Sequence, residues 1–189
     1  MKPISRTEIL DFVTYTERRD EIRDAALAAK RARRVTVGDV FTFLFESRET
    51  VRYQILEMVR VEQIIKEADI QHEIATYNEL LGRNGALCAT LLIGIADEAE
   101  RAIKLRAWIG LLDHVYAKTA DGGRITPKWD PRQVGVDRLS SVQYLTFELN
   151  GCAPIAIGID WPERDLVVEA TLEAQQVAAL QADLDQADA

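Results

Sequence analysis

The chain has 189 residues, of which 48% are apolar and 29% are charged, a balance typical of a globular domain and not of a disordered chain. Its formal net charge of −8 argues against general nucleic-acid binding and against attraction to anionic membranes. No apolar run reaches the roughly 18 residues of a membrane-spanning helix, and no secretory signal begins the sequence. We therefore expect one cytoplasmic domain over residues 1–189.

The first third of the sequence predicts helices around one strong strand. Residues 5–8 form a capping-box pattern, and residues 17–33 predict a helix whose basic C-terminal end complements the helix dipole. We expect this helical segment, residues 1–34, to pack on or near the sheet. Residues 40–45 are apolar at nearly every position, which is typical of a central strand covered on both faces.

A helix pair is predicted directly after this strand. Ser47 occupies an N-cap position before a helix over residues 48–66. Asp69 is predicted to cap a second helix, which reaches Leu81 and ends at Gly82.

The rest of the sequence is mainly strand-like. Apolar patterns predict strands at residues 87–95, 111–119, 124–129, 142–149, 155–160 and 166–172. Helices are predicted over residues 98–104 and 173–184, and residues 185–189 are expected to fray. This order predicts an α+β fold, with a mostly antiparallel sheet of about five to six strands, N-terminal helices, a central helix pair and a C-terminal helix.

Two charged residues fall on the apolar side of the helix predicted over residues 48–66. On a helical wheel, Arg48 and Glu62 lie within about 20° of Ile55, in the middle of the apolar stripe. A carboxylate in that position must be paired or have a raised pKa. Glu62 is therefore predicted to form an ion pair with an arginine or to cap a neighbouring loop or, alternatively, to line a pocket or ligate a metal.

Glu73 is the natural companion of Glu62. It lies on the border of the apolar stripe of the second helix, so the two carboxylates approach each other if the helices form a hairpin. His72 points away from that stripe. A di-iron site needs Glu-x-x-His pairs and carboxylates from four helices. The chain has two histidines and no such motif, so we predict no metal site and no cofactor.

Arg48 and Arg52 lie at the predicted N-terminus of the same helix. Free N–H groups, the helix dipole and two guanidiniums there could bind a phosphate or carboxylate. Glu46 and Glu49 flank the arginines and compete for them, so internal salt bridges are the favoured alternative. No glycine-rich loop precedes the helix, which argues against a P-loop or dinucleotide-binding motif.

His114 is the best general acid–base candidate because of its ordinary pKa. It follows Asp113 in a predicted strand, so the two side chains face opposite ways and cannot form a relay. A structural role is the more common one for a lone strand histidine. Cys88 and Cys152 have no CxxC spacing and are predicted to be reduced thiols. No catalytic residue is predicted, which leaves open whether the protein is an enzyme.

Several stretches resemble the bacterial domain of unknown function 3501 family. They are Glu62 and residues 45–51 (FESRETV), 54–58 (QILEM), 76–81 (TYNELL), 110–116 (GLLDHVY) and 141–145 (SVQYL). The resemblance spans almost the whole chain and implies no established activity and no catalytic residues. Genes of this family often lie beside those for rubrerythrin-like proteins and a heterodisulfide-reductase-like iron–sulfur oxidoreductase, which implies a place in a redox or oxidative-stress module.

These observations leave two functional hypotheses. The first is a non-catalytic accessory or interaction protein of a bacterial redox module, with a rubrerythrin-like protein, an iron–sulfur oxidoreductase or a second copy of the chain as its partner. The second is a small-molecule or anion-binding protein, or an enzyme, whose pocket lies where the central strand meets the helix pair. Its predicted ligand-binding residues are Arg48, Arg52, Glu62, Glu73 and His114.

Overall fold

The computed structural model describes residues 1–186. Its five α-helices are α1 (Phe12–Arg31), α2 (Arg48–Val61), α3 (Glu67–Asn78), α4 (Glu98–Ala107) and α5 (Ala174–Asp185). Its strands are β1 (Arg34–Val37), β2 (Phe41–Phe45), β3 (Ala86–Ile93), β4 (Val115–Lys118), β5 (Arg124–Ile125), β6 (Val142–Glu148), β7 (Ala156–Trp161) and β8 (Leu166–Thr171). Short 3-10 turns lie at Arg6–Glu8, Leu111–His114, Pro131–Gln133 and Pro162–Arg164.

The strands form two antiparallel sheets of four strands each, in the orders β1-β2-β3-β6 and β5-β4-β7-β8. The predicted α+β class and the mostly antiparallel pairing are confirmed. The structure has eight strands in two sheets, whereas the sequence predicts one sheet of about five to six strands. One reason for the difference is that β1, which was not predicted, is only four residues long and follows α1 closely. Strand patterns also do not specify which strands pair.

The inner faces of the two sheets share one hydrophobic core. Phe43 and Phe45 point into it from β2, and the Phe45 ring lies 6.0 Å from that of Phe147 on β6. Ile157 and Ile159 of β7 belong to the same core. As predicted, β2 lies inside its sheet, between β1 and β3.

The helices before α2 differ from those predicted. The carboxylate of Glu8 accepts a hydrogen bond from the Ser5 N–H at 2.9 Å, so the predicted capping box forms, but only one 3-10 turn follows it. α1 starts at Phe12 and not at residue 17, because the Asp11 carboxylate caps the N–H of Val13 at 3.0 Å. α1 packs against α2.

The helix pair begins as predicted and then departs from the prediction. Ser47 caps α2, and its hydroxyl accepts from the Thr50 N–H at 3.3 Å. α2 ends at Val61 and not at residue 66, because Gln63 adopts a left-handed conformation with φ of 51°. The N-cap of α3 is Lys66 and not Asp69.

The remaining expectations concern two strands, the C-terminal tail, membrane-spanning helices and the cysteines. Residues 111–114 form a 3-10 turn before β4, and only two residues of the strand predicted over 124–129 form β5. Most of the predicted fraying tail, residues 187–189, lies outside the described residues. In the described range no helix combines the length and apolar character needed to cross a bilayer. Both cysteines are free thiols, as predicted.

Candidate functional site

The predicted anion site at the start of α2 is covered by the N-terminal segment, residues 1–10. Arg48 forms an ion pair with the Glu8 carboxylate at 2.6 Å and donates to the main-chain oxygens of Lys2 and, at 3.0 Å, Pro3. Arg52 Nε donates to the Glu8 main-chain oxygen at 2.9 Å. Both arginines line a cavity of about 380 Å³. The internal salt bridge is therefore present at Arg48, and anion binding there stays a prediction.

The two predicted carboxylates of the helix pair have different environments. Glu62 is exposed, and its predicted place on the core-facing stripe is wrong because α2 has already ended and Gln63 turns the chain. Glu73 is half-buried within α3. Burial is the main cause of the raised pKa of Tyr77, and the negative charges of Glu73 and Glu62 raise this pKa further. The two carboxylates therefore lie near the same tyrosine.

His114 lies at the end of a 3-10 turn and not within a strand. Its Nδ1 is 3.1 Å from the Asp160 main-chain oxygen, and its ring stacks on Trp161 with centroids 4.4 Å apart and an interplanar angle of 8°. These contacts of His114 with β7 fit a structural role for this histidine. The five predicted residues thus fall in three places, at the start of α2, beside Tyr77 and against β7.

A larger concave surface lies on the outer face of the first sheet. Two adjoining cavities of about 690 Å³ and 640 Å³ share Glu79, Cys88 and Thr146 as lining residues. We call this continuous space the sheet groove. Its floor is formed by the outer face of β3 and β6 and by Glu46, the residue that follows β2. One wall is the C-terminal end of α3, and the other wall is the segment 128–133.

Strand alternation places the floor residues on this face. Cys88 and Thr146 are directly opposite each other in the β3–β6 ladder, and their Sγ and Oγ1 atoms are 3.4 Å apart. Their neighbours Leu87 and Phe147 point the other way, into the core. Burial raises the pKa of the Cys88 thiol, which makes it a poor nucleophile.

Glu46 is the buried charge of the sheet groove. It directly follows β2 and is only 2% exposed. Its carboxylate accepts one hydrogen bond from the Thr90 hydroxyl at 2.7 Å and one from the Thr50 hydroxyl at 2.6 Å. Within residues 1–186, none of the ion pairs closer than 4.0 Å includes Glu46.

Aromatic side chains form much of the walls. Tyr77 comes from α3, Tyr144 from β6, and Trp129 from the segment 128–133. This segment is held against β6, because Gln133 accepts from the Tyr144 N–H at 2.7 Å and donates to the Tyr144 main-chain oxygen at 2.9 Å. The sheet groove is therefore built on hydrogen-bonded elements and not on a loose loop.

Two cations at the rim of the sheet groove, Lys128 and Arg132, are already paired, whereas Arg83, which lines the second cavity, is in none of the ion pairs of residues 1–186. Lys128 lies 2.6 Å from the Glu148 carboxylate, and Arg132 forms an ion pair with Asp130. The hydrogen bonds from Arg132 lower the pKa of Asp130 to about 2, so that carboxylate is ionised at neutral pH. The lysine and arginine at the rim of the first cavity are thus neutralised, while its floor carries the charge of Glu46.

The sequence patterns do not predict this surface. They predict Glu46 only as a competitor for Arg48 and Arg52, and they do not indicate Trp129 or Tyr144 as ligand-binding residues. One feature of the sequence does point to Glu46. It follows an apolar strand directly and has a threonine four residues later, and a charged residue is unusual at such a position. Tyr77 and Tyr144 also fall within stretches that carry the family resemblance.

The fold and the groove define an α+β protein with a preformed cavity, and comparisons with known proteins place it in a family. The chain matches the family described as "Protein of unknown function (DUF3501)" over residues 3–184. It therefore belongs to that family, as the resemblance indicated. No curated protein matches the chain.

A solved structure shares the fold. It is a crystal structure of a novel protein of unknown function from Burkholderia pseudomallei K96243, with 30% sequence identity and a TM-score of 0.87. The alignment covers 97% of this chain and 100% of the other. This similarity supports the two-sheet architecture along almost the whole chain.

Proposed function

We propose that this protein binds a small organic molecule in the sheet groove. The observation that carries the proposal is a cavity of about 690 Å³ with aromatic walls and a buried carboxylate in its floor. Ligand sites in proteins typically enclose about 300–1,000 Å³, are lined mainly by apolar and aromatic groups and contain a few placed polar groups. The first cavity of the sheet groove has each of these features, whereas the second is lined mainly by polar residues.

Preorganisation supports the same proposal. The floor consists of paired strands, and the wall around Trp129 is joined to β6 because Lys128 and Thr146 exchange two main-chain hydrogen bonds of 2.8 Å. A rigid cavity loses little conformational entropy when a ligand enters it. Binding in this groove therefore needs no rearrangement of the fold.

The test is a titration of isotopically labelled protein with a library of small metabolites, followed by NMR. Ligands are expected to shift the amide signals of Cys88, Tyr144 and Thr146 and the indole signal of Trp129. The variant Thr146→Phe fills the floor and should abolish these shifts. Val142→Phe is the matched control, since Val142 lies on the same face of β6. Shifts that map elsewhere, or that survive Thr146→Phe, would contradict the proposal.

A second candidate function is an accessory or interaction role in a bacterial redox or oxidative-stress module of the cytoplasm. The gene neighbourhood that the family resemblance implies supports it, and so does an exposed apolar patch. Phe12, Val13 and Ile65 form this apolar patch, with exposures of 43%, 63% and 85%, and all three line one concave surface. Clustered exposed apolar residues are typical of protein-interaction surfaces. The proposed partners are a rubrerythrin-like protein, an iron–sulfur oxidoreductase or a second copy of this chain.

Copurification tests this second candidate. The variant Val13→Asp/Ile65→Asp should lose the partner, whereas Val136→Asp, at a position that is 97% exposed and outside the apolar patch, should keep it. Light scattering of the purified protein identifies self-association. Retention of the partner by the double variant would show that the apolar patch is not the contact surface.

A further inference from the structure

The charge balance of the sheet groove indicates a class of ligand. A buried carboxylate is costly unless it is paired or fully hydrogen-bonded. Glu46 has two hydroxyl donors, Thr50 and Thr90, and both are neutral. The two cations that line the same cavity as Glu46, Lys128 and Arg132, are bound to carboxylates of their own, and Arg83 lines only the adjoining cavity. Glu46 therefore keeps a negative charge that no ion pair within residues 1–186 neutralises.

The aromatic walls agree with this charge balance. In the described part of the chain, cations lie over the rings of Tyr53, Trp108, Tyr116 and Trp161. None of these contacts involves Tyr77, Trp129 or Tyr144. The rings that line the sheet groove therefore present faces that no lysine or arginine of the described chain covers, and such faces attract ammonium groups.

We propose that the ligand of the sheet groove is an organic cation with an ammonium group, which Glu46 neutralises and the aromatic walls contact. This inference rests on the proposed small-molecule binding and names the class of ligand. The combination of a carboxylate with open aromatic faces is the chemistry by which proteins recognise ammonium ions. Both adjoining cavities also carry Glu79 at their shared edge, which adds a second carboxylate for a cation with more than one amine.

The donor set and the volume favour an organic cation over a metal ion. Within residues 1–186 no group of three or more His, Cys, Asp or Glu side chains could hold a metal ion. Magnesium and calcium need several oxygen ligands from carboxylates, carbonyls or water. A cavity of about 690 Å³ with three aromatic walls matches the size and the apolar surface of an organic molecule.

The test compares probes of similar shape and different charge. Choline, benzyltrimethylammonium and spermidine are the cationic probes, 3,3-dimethylbutan-1-ol is the neutral isostere of choline, and inorganic phosphate is the anionic probe. At least one cation is expected to shift the groove signals in NMR titrations, while the neutral isostere and phosphate leave them unchanged. Calorimetry then gives the dissociation constant.

Variants identify the counter-charge. Glu46→Gln keeps the shape of the side chain and should weaken cation binding by about tenfold or more, because a desolvated charge pair is lost. Glu163→Gln removes the same charge from an exposed position and should leave the affinity unchanged. Tyr144→Leu, at a position that is 47% exposed, should weaken binding several-fold and serves as a second variant if Glu46→Gln does not fold.

The outcomes separate the two proposals. If neutral or anionic compounds bind the groove as tightly as cations, or if neither Glu46→Gln nor Tyr144→Leu weakens cation binding, the ligand class is wrong and small-molecule binding stands. If neither the probes nor the metabolite library shifts the groove signals, both proposals fail. A cation that binds the wild type and loses affinity with Glu46→Gln but not with Glu163→Gln supports both.

Discussion

The N-terminal layer (residues 1–31) and the sheet groove both adjoin the same helix pair, but their charged residues are paired differently. In the N-terminal layer, Arg48 meets Glu8 at 2.6 Å, and Arg19 binds Glu57 through two hydrogen bonds of 2.7 and 2.9 Å. In the sheet groove, the side chains of residues 1–186 that donate to the Glu46 carboxylate are both neutral hydroxyls. The first region uses its charges to hold the fold together, and the second leaves one without a counter-ion.

This difference accounts for the position of Arg48, which the helical wheel predicts on the apolar side of α2. Arg48 is on the apolar side of α2 because the N-terminal segment covers it, and its donors are bound to that segment. A charge on the apolar side of a helix therefore indicates a tertiary contact as readily as a ligand site. The better indication of a ligand site is a buried charge without a counter-ion in a cavity, which requires the three-dimensional structure.

Asn78→Ala should produce the largest loss of stability, because Asn78 anchors the N-terminal layer. Its side chain is 8% exposed, accepts from the Ile4 N–H at 2.7 Å and donates to the Ile4 main-chain oxygen at 2.9 Å. The variant leaves both main-chain groups of Ile4 without partners. We expect the free energy of unfolding to fall by about 3 kcal/mol, as measured by urea denaturation.

His72→Ala is the control for this prediction, since His72 is exposed on the same helix. It should change the free energy of unfolding by less than about 0.5 kcal/mol. Equal effects of the two variants would mean that the Ile4 contact contributes nothing measurable and that the N-terminal layer is held by other contacts.

The second prediction uses acid to weaken the N-terminal layer at Glu57. Hydrogen bonds from Arg19 lower the pKa of this carboxyl from 4.5 to about 2, against the opposing effect of burial. A lowered pKa means that the ionised form stabilises the fold above pH 4.5, and that this contribution is lost as the pH falls towards 2. Glu57→Gln should cost on the order of 2 kcal/mol at pH 7.

Denaturation at several pH values checks this prediction. The difference in unfolding free energy between the wild type and Glu57→Gln should shrink steadily between pH 4.5 and about 2. A difference that stays constant over this range would show that the carboxyl does not have a lowered pKa in the folded protein.

Local signals explain which parts of the fold could be predicted. The strand at β2 and the N-cap at Ser47 depend on residues close together in the sequence, and both were predicted correctly. The end of α2 was not, because no glycine or proline marks it and the turn depends on the left-handed Gln63. Non-glycine residues rarely adopt this conformation, so sequence patterns do not reveal it.

The sheet groove could not be predicted because its contacts are distant in the sequence. Thr90, which binds Glu46, lies 44 positions away from it. Trp129 reaches the groove only because Lys128 pairs with Thr146 across the sheet. Strand pairing of this kind is not determined by local patterns. Family resemblance included Tyr77 and Tyr144 but did not indicate that they line one cavity.

The third prediction removes the charge that holds the N-terminal segment. Arg48→Met keeps most of the side-chain volume but loses the ion pair with Glu8 and the hydrogen bonds to main-chain oxygens. We expect the free energy of unfolding to fall by about 1.5 kcal/mol. Hydrogen exchange should show faster exchange in residues 1–10. Arg18→Met is the control, since Arg18 makes only an exposed 3.5 Å pair with Glu21, and it should have no measurable effect.

The fourth prediction applies the same kind of change to the sheet groove and expects the smallest effect. Glu46→Gln removes a buried charge that has no counter-ion, and the amide can accept from one threonine hydroxyl and donate to the oxygen of the other. Because a neutral amide costs less to bury than a carboxylate, the free energy of unfolding should change by no more than about 1 kcal/mol. Urea denaturation of the ligand-free protein measures this change.

The contrast with Arg48→Met makes this small effect informative. If Glu46→Gln instead lowered the free energy of unfolding by more than Arg48→Met does, the ionised carboxylate would be holding β2, β3 and α2 together through Thr90 and Thr50. The sheet groove would then use its charge as the N-terminal layer does, and the contrast between the two regions would disappear. A stability that is nearly unchanged, together with a loss of cation binding, assigns the charge of Glu46 to a ligand and not to the fold.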